Sequence, residues 1–277
     1  MRLLLVAHPS RDSSAVVAGR LAAEALRLGL RVAASPDDAS RIEGVESWVV
    51  EPPGPQDVVV AVGGDGTVLQ AAHLGLSIGA PVVGINAGTV GFLAEVDPSQ
   101  IPEALDALVS GRFRESSRMT LEVEMPDGSL AVGLNDVVVE KAVSRQVVSI
   151  GVSVAGERLV EYRTDAVIVA TPTGSTAYTF SAGGPLVDPE MDALILTAVA
   201  PHNLFGRAIV FDPTAELEVT VTTERAARVN IDGHTLGDLG VGEGIKVRSG
   251  PGRVRLLRLA PTNFARTVKE KFHLHDA

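Results

Sequence analysis

Residues 57–76, DVVVAVGGDGTVLQAAHLGL, constrain the fold more than any other stretch of the chain. Five β-branched or small apolar residues follow one another without a polar break, as in a strand buried on both faces, and then pass through glycines into a segment of helical period. Strands that feed helices this way belong to parallel α/β sheets, because a parallel neighbour can be reached only by a crossover. The rhythm repeats around it in RLLLVAH, SSAVVAGRLAAEALRLGL, RVAAS and PVVGIN. A lone carboxylate, Asp65, sits in the turn between Gly64 and Gly66. A charge at the end of a buried strand needs partners or a task, which makes Asp65 the first candidate for chemistry.

The rhythm changes after PSQIPEALDALVSGR, which reads as a helix opened by Pro98 and closed by Gly111. From there to about residue 259 short β-rich segments predominate, among them RMTLEVEM, LAVGLNDVVVE, VVSIGVSV, DAVIVAT, ELEVTVTT and IKVRSGPGRVRLLRL. Turn signals such as Pro126-Asp127-Gly128 and Ala155-Gly156-Glu157 join them. We therefore expect an α/β domain over 1–105, a mostly antiparallel β-rich domain over 106–259, and a helical tail over 260–277 with Phe264, Val268 and Phe272 on one stripe. The tail is expected to return to the first domain.

The overall charge of −10 excludes whole partner classes, since no basic block or stripe offers a surface to nucleic acid or an anionic membrane. The chain has no cysteine, which removes disulfides, thiolate catalysis and Cys-ligated metal centres. The apolar run at the N-terminus is too short for a signal peptide, and ALILTAVA is too short to span a bilayer. Cytoplasmic residence is the default expectation. His202 and the HLH run at 273–275 lack a partner cluster at ligand spacing, so no metal site is expected.

Four constellations carry candidate chemistry. GGDGT, at the carboxyl end of a strand, suits phosphate, because its glycines let main-chain amides approach oxygens; it is neither a Walker loop nor G-x-G-x-x-G. NAGTVGFLAE, residues 86–95, follows the next strand and would lie beside it. In LNDVVVEK the pair Asn135-Asp136 suits a base edge and a ribose, or is a turn with an Asx cap. In TPTGSTAYTFSAGGPLV, residues 171–187, crowded hydroxyls are costly to bury unless something bonds to them, and ordinary helix capping accounts for only some of them.

In this order the four motifs resemble the NAD kinases, and APHNLFGRAIV and IDGH are similar to family segments as well. Lipid kinases and phosphofructokinases share a GGDG loop, but the long threonine and serine motif resembles NAD kinases only. The resemblance implies a Rossmann-like α/β domain followed by a β-rich, sandwich-like domain with the C-terminal helix packed on the first. It implies a phosphotransferase that moves a phosphoryl group from ATP, or polyphosphate, to the 2′-hydroxyl of the adenosine ribose of NAD, with Mg²⁺ held mainly through phosphates. Asp65 would be the catalytic carboxylate and touch NAD together with Gly66. Asn135, Asp136, Arg145, Arg163, Asp165, Thr176, Ala177, Tyr178, Thr179, Phe180, Ser181 and His234 would complete the NAD site. Gly63, Gly64, Gly66, Thr67, Asn86 and Gly88 would form the phosphate-donor loop. The chain departs from the family pattern at Asp136, where Glu is usual, at Ala166, and at His234, where Gln is usual. Family members are usually homo-oligomers, so a dimer or tetramer is expected. The alternatives are a lipid or sugar kinase with the same loop, or a dinucleotide-binding regulator without turnover.

Overall fold

The computed structural model describes residues 1–7, 12–87, 91–143, 146–259 and 263–274. The chain divides into two compact units, Met1–Ser117 with Val254–Ala277, and Arg118–Arg253. The sequence places the divisions at 105 and 259 instead. The difference at the second point has a simple cause: the last strand runs unbroken from Gly244 to Arg258, so no turn marks position 253.

The first unit is built from β1 (Arg2–Ala7), α1 (Asp12–Arg27), β2 (Arg31–Ala34), α2 (Pro36–Ala39), β3 (Glu46–Ser47), β4 (Val58–Gly63), α3 (Asp65–Ile78), β5 (Val82–Asn86) and α4 (Ile101–Ser110). Its strands are parallel in the order β3-β2-β1-β4-β5. The order reverses between β1 and β4, and ligands of doubly wound sheets bind at the carboxyl ends of strands at such a point. Helices α1 and α4 cover the face bearing Leu3, Leu5, Val58, Val60 and Val62. On the opposite face Val68 of α3 packs against Gly84 so closely that a Cβ there would press on its methyl group. Burial on both faces explains why β4 is apolar at every position. Gly111 ends α4 in the left-handed conformation at φ 69°, as its position in the sequence suggests.

The second unit takes in β6 (Arg114–Glu124), most of which it contains, β7 (Leu130–Gly133), β8 (Asp136–Lys141), β9 (Val148–Val154), β10 (Glu157–Thr164), β11 (Ala166–Ala170), α5 (Tyr178–Ser181), β12 (Leu194–Val199), β13 (Ile209–Phe211), β14 (Leu217–Val221), β15 (Ala227–Ile231), β16 (His234–Leu239) and the start of β17 (Gly244–Arg258). Strands β13-β12-β11-β8-β15-β16 form one antiparallel sheet, and β10-β9-β14-β17 run antiparallel in another. Alternate residues of both, such as Val137 and Val139 against Ile150 and Val152, share one core, the packing of a β-sandwich. The outer face of β8 and β11 is covered too, by Ala182 and Val187 around Ile168. These central strands are therefore apolar on both sides. In the β9–β10 turn Ala155 and Gly156 both have positive φ, the geometry of a two-residue hairpin.

Helix α6 (Phe264–Lys271) closes the first unit, with Phe264, Val268 and Phe272 half-buried and the Phe272 ring 6.1 Å from that of Phe92. At the opposite end of the β1–β4 pair, Arg2 donates to both oxygens of Asp57 (3.0 and 2.7 Å) and to the carbonyls of Glu51 and Pro52. The two side chains are 4% and 1% exposed, so neither charge has water to fall back on. Asp57→Ala removes the buried charge partner of the guanidinium, leaving it the carbonyls of Glu51 and Pro52 and the half-exposed Glu51 carboxylate, and is expected to cost about 3 kcal/mol in urea unfolding. A paired Arg2→Met, Asp57→Leu variant should recover most of that loss, and a single variant of wild-type stability would show that the pair is not a fixture of the fold.

Candidate active site

In the first unit the site is built on the step from β4 into α3. Asp65 is the first residue of α3, and its carboxylate reaches across to the segment after β5: Oδ2 accepts from the Phe92 amide at 3.0 Å, and Oδ1 from those of Leu93 and Ala94 at 2.9 and 3.4 Å. Gly91 must lack a side chain for this, because a Cβ there would run into the Asp65 carboxylate. The segment is held from behind by Arg258, buried at the end of β17, which donates to Leu93 O at 3.1 Å and to Glu95 at 2.7 Å. Gly63 pairs with Asn86 in the β4–β5 register, so the two candidate loops leave neighbouring strands, as the sequence suggests. Gly63 gives room to the Thr67 side chain, whereas a Cβ on Gly64 or Gly66 would meet nothing. The exposed start of α3 thus offers open main chain and the positive end of a helix dipole. Gly88 lies outside the described residues.

In the second unit Asn135 and Asp136 stand at the start of β8. Among the described residues neither side chain has a hydrogen-bond partner, so the turn reading with an Asx cap does not describe them. The carboxyl of Asp136 is buried and its pKa is pushed up to about 7, first by that burial and then by the negative charge of Asp232. Tyr178 opens α5 with its ring 40% exposed, and its phenol is pushed up by burial and by Glu140, Asp165 and Asp136, which places those three carboxyl groups around it. Asp165 pairs with Lys141 at 2.6 Å. Arg163, on β10, is exposed; its main-chain amide donates to Asn203 Oδ1 and its carbonyl accepts from the His202 amide. His234 is exposed beyond the Asp232-Gly233 turn. Arg145 lies outside the described residues.

The crowded hydroxyls prove to be mostly occupied by the fold. Thr171 Oγ1 donates to Leu134 O, Ser175 Oγ to the carbonyls of Pro172 and Val187, and Thr176 Oγ1 to Thr173 O. Much of the pattern therefore serves to knit a turn of 3₁₀ helix, Thr173–Thr176, through hydroxyl-to-carbonyl bonds and not through the helix caps that the sequence suggests. Thr179 is buried with its hydroxyl unpartnered, while Phe180 and Ser181 are exposed beside Tyr178. Gly174 is pressed so close to the Asn135 carbonyl that a Cβ would collide with it, which sets this loop directly on the Asn135-Asp136 pair.

The motifs contain Asp232 and Gly91 without assigning either a partner, and they omit Arg258. Asp232, in the IDGH segment, accepts from the amides of Leu134, Asn135 and Asp136, whereas its Asp-Gly pair reads in sequence as a hairpin turn. Arg258 has no signal beyond being charged in an apolar strand. Among the described residues no group of three or more His, Cys, Asp and Glu is placed to hold a metal, and no helix is long and apolar enough to cross a membrane.

Family models described as the ATP-NAD kinase N-terminal and C-terminal domains match residues 52–113 and 134–259. A Rhodococcus erythropolis protein named NAD kinase is 37% identical over 297 residues, covering 98% of this chain and 93% of its own. A Streptomyces avermitilis protein named NAD kinase 1 is 37% identical over 262 residues, covering 81% and 73%. Among solved structures, yeast NADH kinase complexed with NADH matches with a TM-score of 0.89 at 22% identity, over 100% of this chain and 89% of that one. An Archaeoglobus fulgidus NAD kinase in complex with ATP matches with a TM-score of 0.71 at 24% identity, over 99% and 97%. At those identities the two structures speak to the fold.

The raised pKa of Asp136 has a measurable consequence for stability. Between about pH 4 and 7 the unfolded chain has released a proton that the folded chain still holds at this carboxyl, so folding stability falls as pH rises through that window. Asp136→Asn has no proton to release. Its melting temperature relative to wild type should climb from about pH 5 to about pH 8, and a constant difference would place the titration elsewhere.

Proposed function

The chain belongs to the NAD kinase family and phosphorylates NAD to NADP, and we propose that Asp65 is the base that accepts the proton of the 2′-hydroxyl on the adenosine ribose. The observation that carries this reading is the bonding of its carboxylate. A carboxylate offers about four lone-pair sites, and Oδ2, with one amide donor, has one to spare for the hydroxyl. The amides of residues 92–94 fix the direction in which that lone pair points. Phosphoryl transfer passes through a loose transition state, so the protein acts mainly by positioning and by stabilising charge.

The open main chain of Gly64 and Gly66 at the start of α3 receives the phosphates of the ATP donor, and Gly63, Thr67, Asn86 and Gly88 are assigned to the same loop; polyphosphate offers the same chemistry. Mg²⁺ fits as a companion of those phosphates rather than as a resident of a protein cage, because it is ordinarily held by phosphate oxygens, water and one or two carboxylates. Bound with the nucleotide, it neutralises charge on the group being transferred. The unpartnered side chains of Asn135 and Asp136 hold a ribose and the nicotinamide end of the dinucleotide. Arg145, Arg163, Asp165, Thr176, Ala177, Tyr178, Thr179, Phe180, Ser181 and His234 are assigned to the rest of the NAD site, with the exposed ring of Tyr178 as its apolar platform. We assign the protein to the cytoplasm, and the exposed side chains of Leu204 and Phe205 support a homo-oligomer, a dimer or tetramer.

Incubation with NAD, ATP and Mg²⁺ should yield NADP. Asp65→Asn should lower kcat by roughly 10² to 10⁴ with NAD affinity largely kept. The same change sets an amide NH₂ against main-chain donors, so the ligand-free variant should also lose roughly 1–3 kcal/mol of stability. Turnover within about threefold of wild type would remove Asp65 as the base.

Tyr178→Ala separates a binding ring from a core ring. With its ring 40% exposed, truncation should move the ligand-free melting temperature little. A ligand that binds only the folded state adds about 2.7 kcal/mol at 100 times its Kd, so the upward shift caused by NADP should shrink in the variant at matched concentration. A large ligand-free loss with a full-sized shift would retire Tyr178 from the site.

A further inference from the structure

We propose that Asp232 is a positioning residue for dinucleotide capture: its carboxylate fixes the peptide run that presents Asn135 and Asp136 to the ligand. The inference rests on the assignment of Asn135 and Asp136 to the NAD site.

The geometry points to this role through the main chain of Leu134, Asn135 and Asp136. All three amides donate to Asp232, Leu134 to Oδ2 at 2.7 Å and Asn135 and Asp136 to Oδ1 at 2.8 and 3.1 Å. The carbonyls are taken as well: Leu134 O by the Thr171 hydroxyl at 2.6 Å, Asn135 O by the Thr171 amide at 2.9 Å, and Asp136 O by the amide of Asp232 itself at 3.0 Å. Every polar main-chain group of the run is thus satisfied by two residues, and among the described residues neither the side-chain amide of Asn135 nor the side-chain carboxyl of Asp136 is spent on the fold. A side chain that can accept from three amides at once has to be a carboxylate. Asp232 holds this position at φ +48°, in the left-handed region that side chains other than glycine rarely occupy. Strain of that kind persists where the surroundings over-determine it, and here six hydrogen bonds depend on the placement of Asp232 and Thr171.

The same placement has an electrostatic effect. Asp136 is buried, and the negative charge acting on it comes from Asp232, in the β15–β16 turn. The phenol of Tyr178 faces it from α5; Glu140 and Lys141 lie further along β8, where Lys141 is paired with Asp165. Burial and Asp232 together favour the neutral acid near pH 7. A neutral carboxyl donates a hydrogen bond to a hydroxyl or carbonyl oxygen of the ligand and adds no negative charge beside a dinucleotide that already carries its own. Capture of NAD should therefore weaken as pH rises through this range.

The test is steady-state kinetics from about pH 5.5 to about pH 9 on wild type, Asp232→Asn, Asp136→Asn and Asn135→Ala. Asparagine keeps the shape of Asp232 and tolerates left-handed backbone. Asp232→Asn should raise KM for NAD roughly tenfold while KM for ATP stays put, and the decline of kcat/KM for NAD should move to lower pH by roughly one unit. Asp136→Asn, which is neutral at every pH, should lose the decline. A purely structural Asp232 would weaken the enzyme without moving the profile, and that outcome overturns the proposal. If Asp232→Asn does not fold, the Asp136→Asn profile decides: a flat one supports the proposal and the wild-type one sinks it. Asn135→Ala separates the two levels. A raised KM for NAD there with a wild-type Asp232→Asn refutes the positioning role alone, whereas an unchanged KM removes the NAD-site assignment and the proposal with it.

Discussion

One carboxylate gathering three consecutive main-chain amides is the interaction on which the candidate residues of each unit depend. In the first unit Asp65 does this for Phe92, Leu93 and Ala94; in the second Asp232 does it for Leu134, Asn135 and Asp136. Each device solves the same physical problem. A segment leaving or entering a buried strand has amides that water no longer serves, and an amide left unbonded costs about 1–3 kcal/mol. A single aspartate satisfies the run and at the same time ties it to a distant part of the chain, since the two contacts span more than two dozen and more than ninety residues respectively. Loops that would otherwise be free to drift become fixed parts of a rigid frame, which is what positioning of substrates requires.

The glycines follow from those ties rather than from flexibility. Gly91 is bare because the Asp65 carboxylate lies where its side chain would be, and Gly174 is bare because the Asn135 carbonyl does. Gly64 and Gly66 are different: the space beside them is open, so nothing in the fold requires glycine there. Bare positions of that kind leave the main chain at the start of α3 accessible, the property that a phosphate-binding turn needs. Two classes of glycine, indistinguishable as letters, thus separate into those that the packing requires and those that it does not.

That distinction marks the limit of what the sequence could carry. Period and composition were enough for the parallel α/β unit, because β4 and its neighbours are buried on both faces and are apolar throughout. They were enough for the β-rich unit too, where Ala155-Gly156 and Pro126-Asp127-Gly128 form the turns they resemble. Pattern failed where a side chain acts over a long separation. Arg258 and Asp232 look like ordinary surface charges in sequence, and only the fold brings them to Leu93 and to Leu134–Asp136. Pattern also overstated the hydroxyl run, since Ser175 and Thr176 bond within their own loop and leave less for a ligand than their number suggests. A short-range motif records composition, and composition does not say which partner a hydroxyl has chosen.

The arrangement around Asp65 joins stability and catalysis in one group. The three amides that hold the carboxylate also organise it, so the free energy that folds the Phe92–Ala94 segment orients the group proposed as the base. Behind that segment Arg258 fixes Leu93 O and Glu95, and Phe92 carries the Phe272 ring and the Lys271 ammonium, 5.7 Å from its ring centre. The C-terminal helix thereby reaches Phe92, itself one of the three donors that hold the Asp65 carboxylate, although none of its residues need touch a substrate. Changes in α6 would be felt through the direction of the Asp65 lone pair, and a misdirected base lowers turnover before it lowers binding.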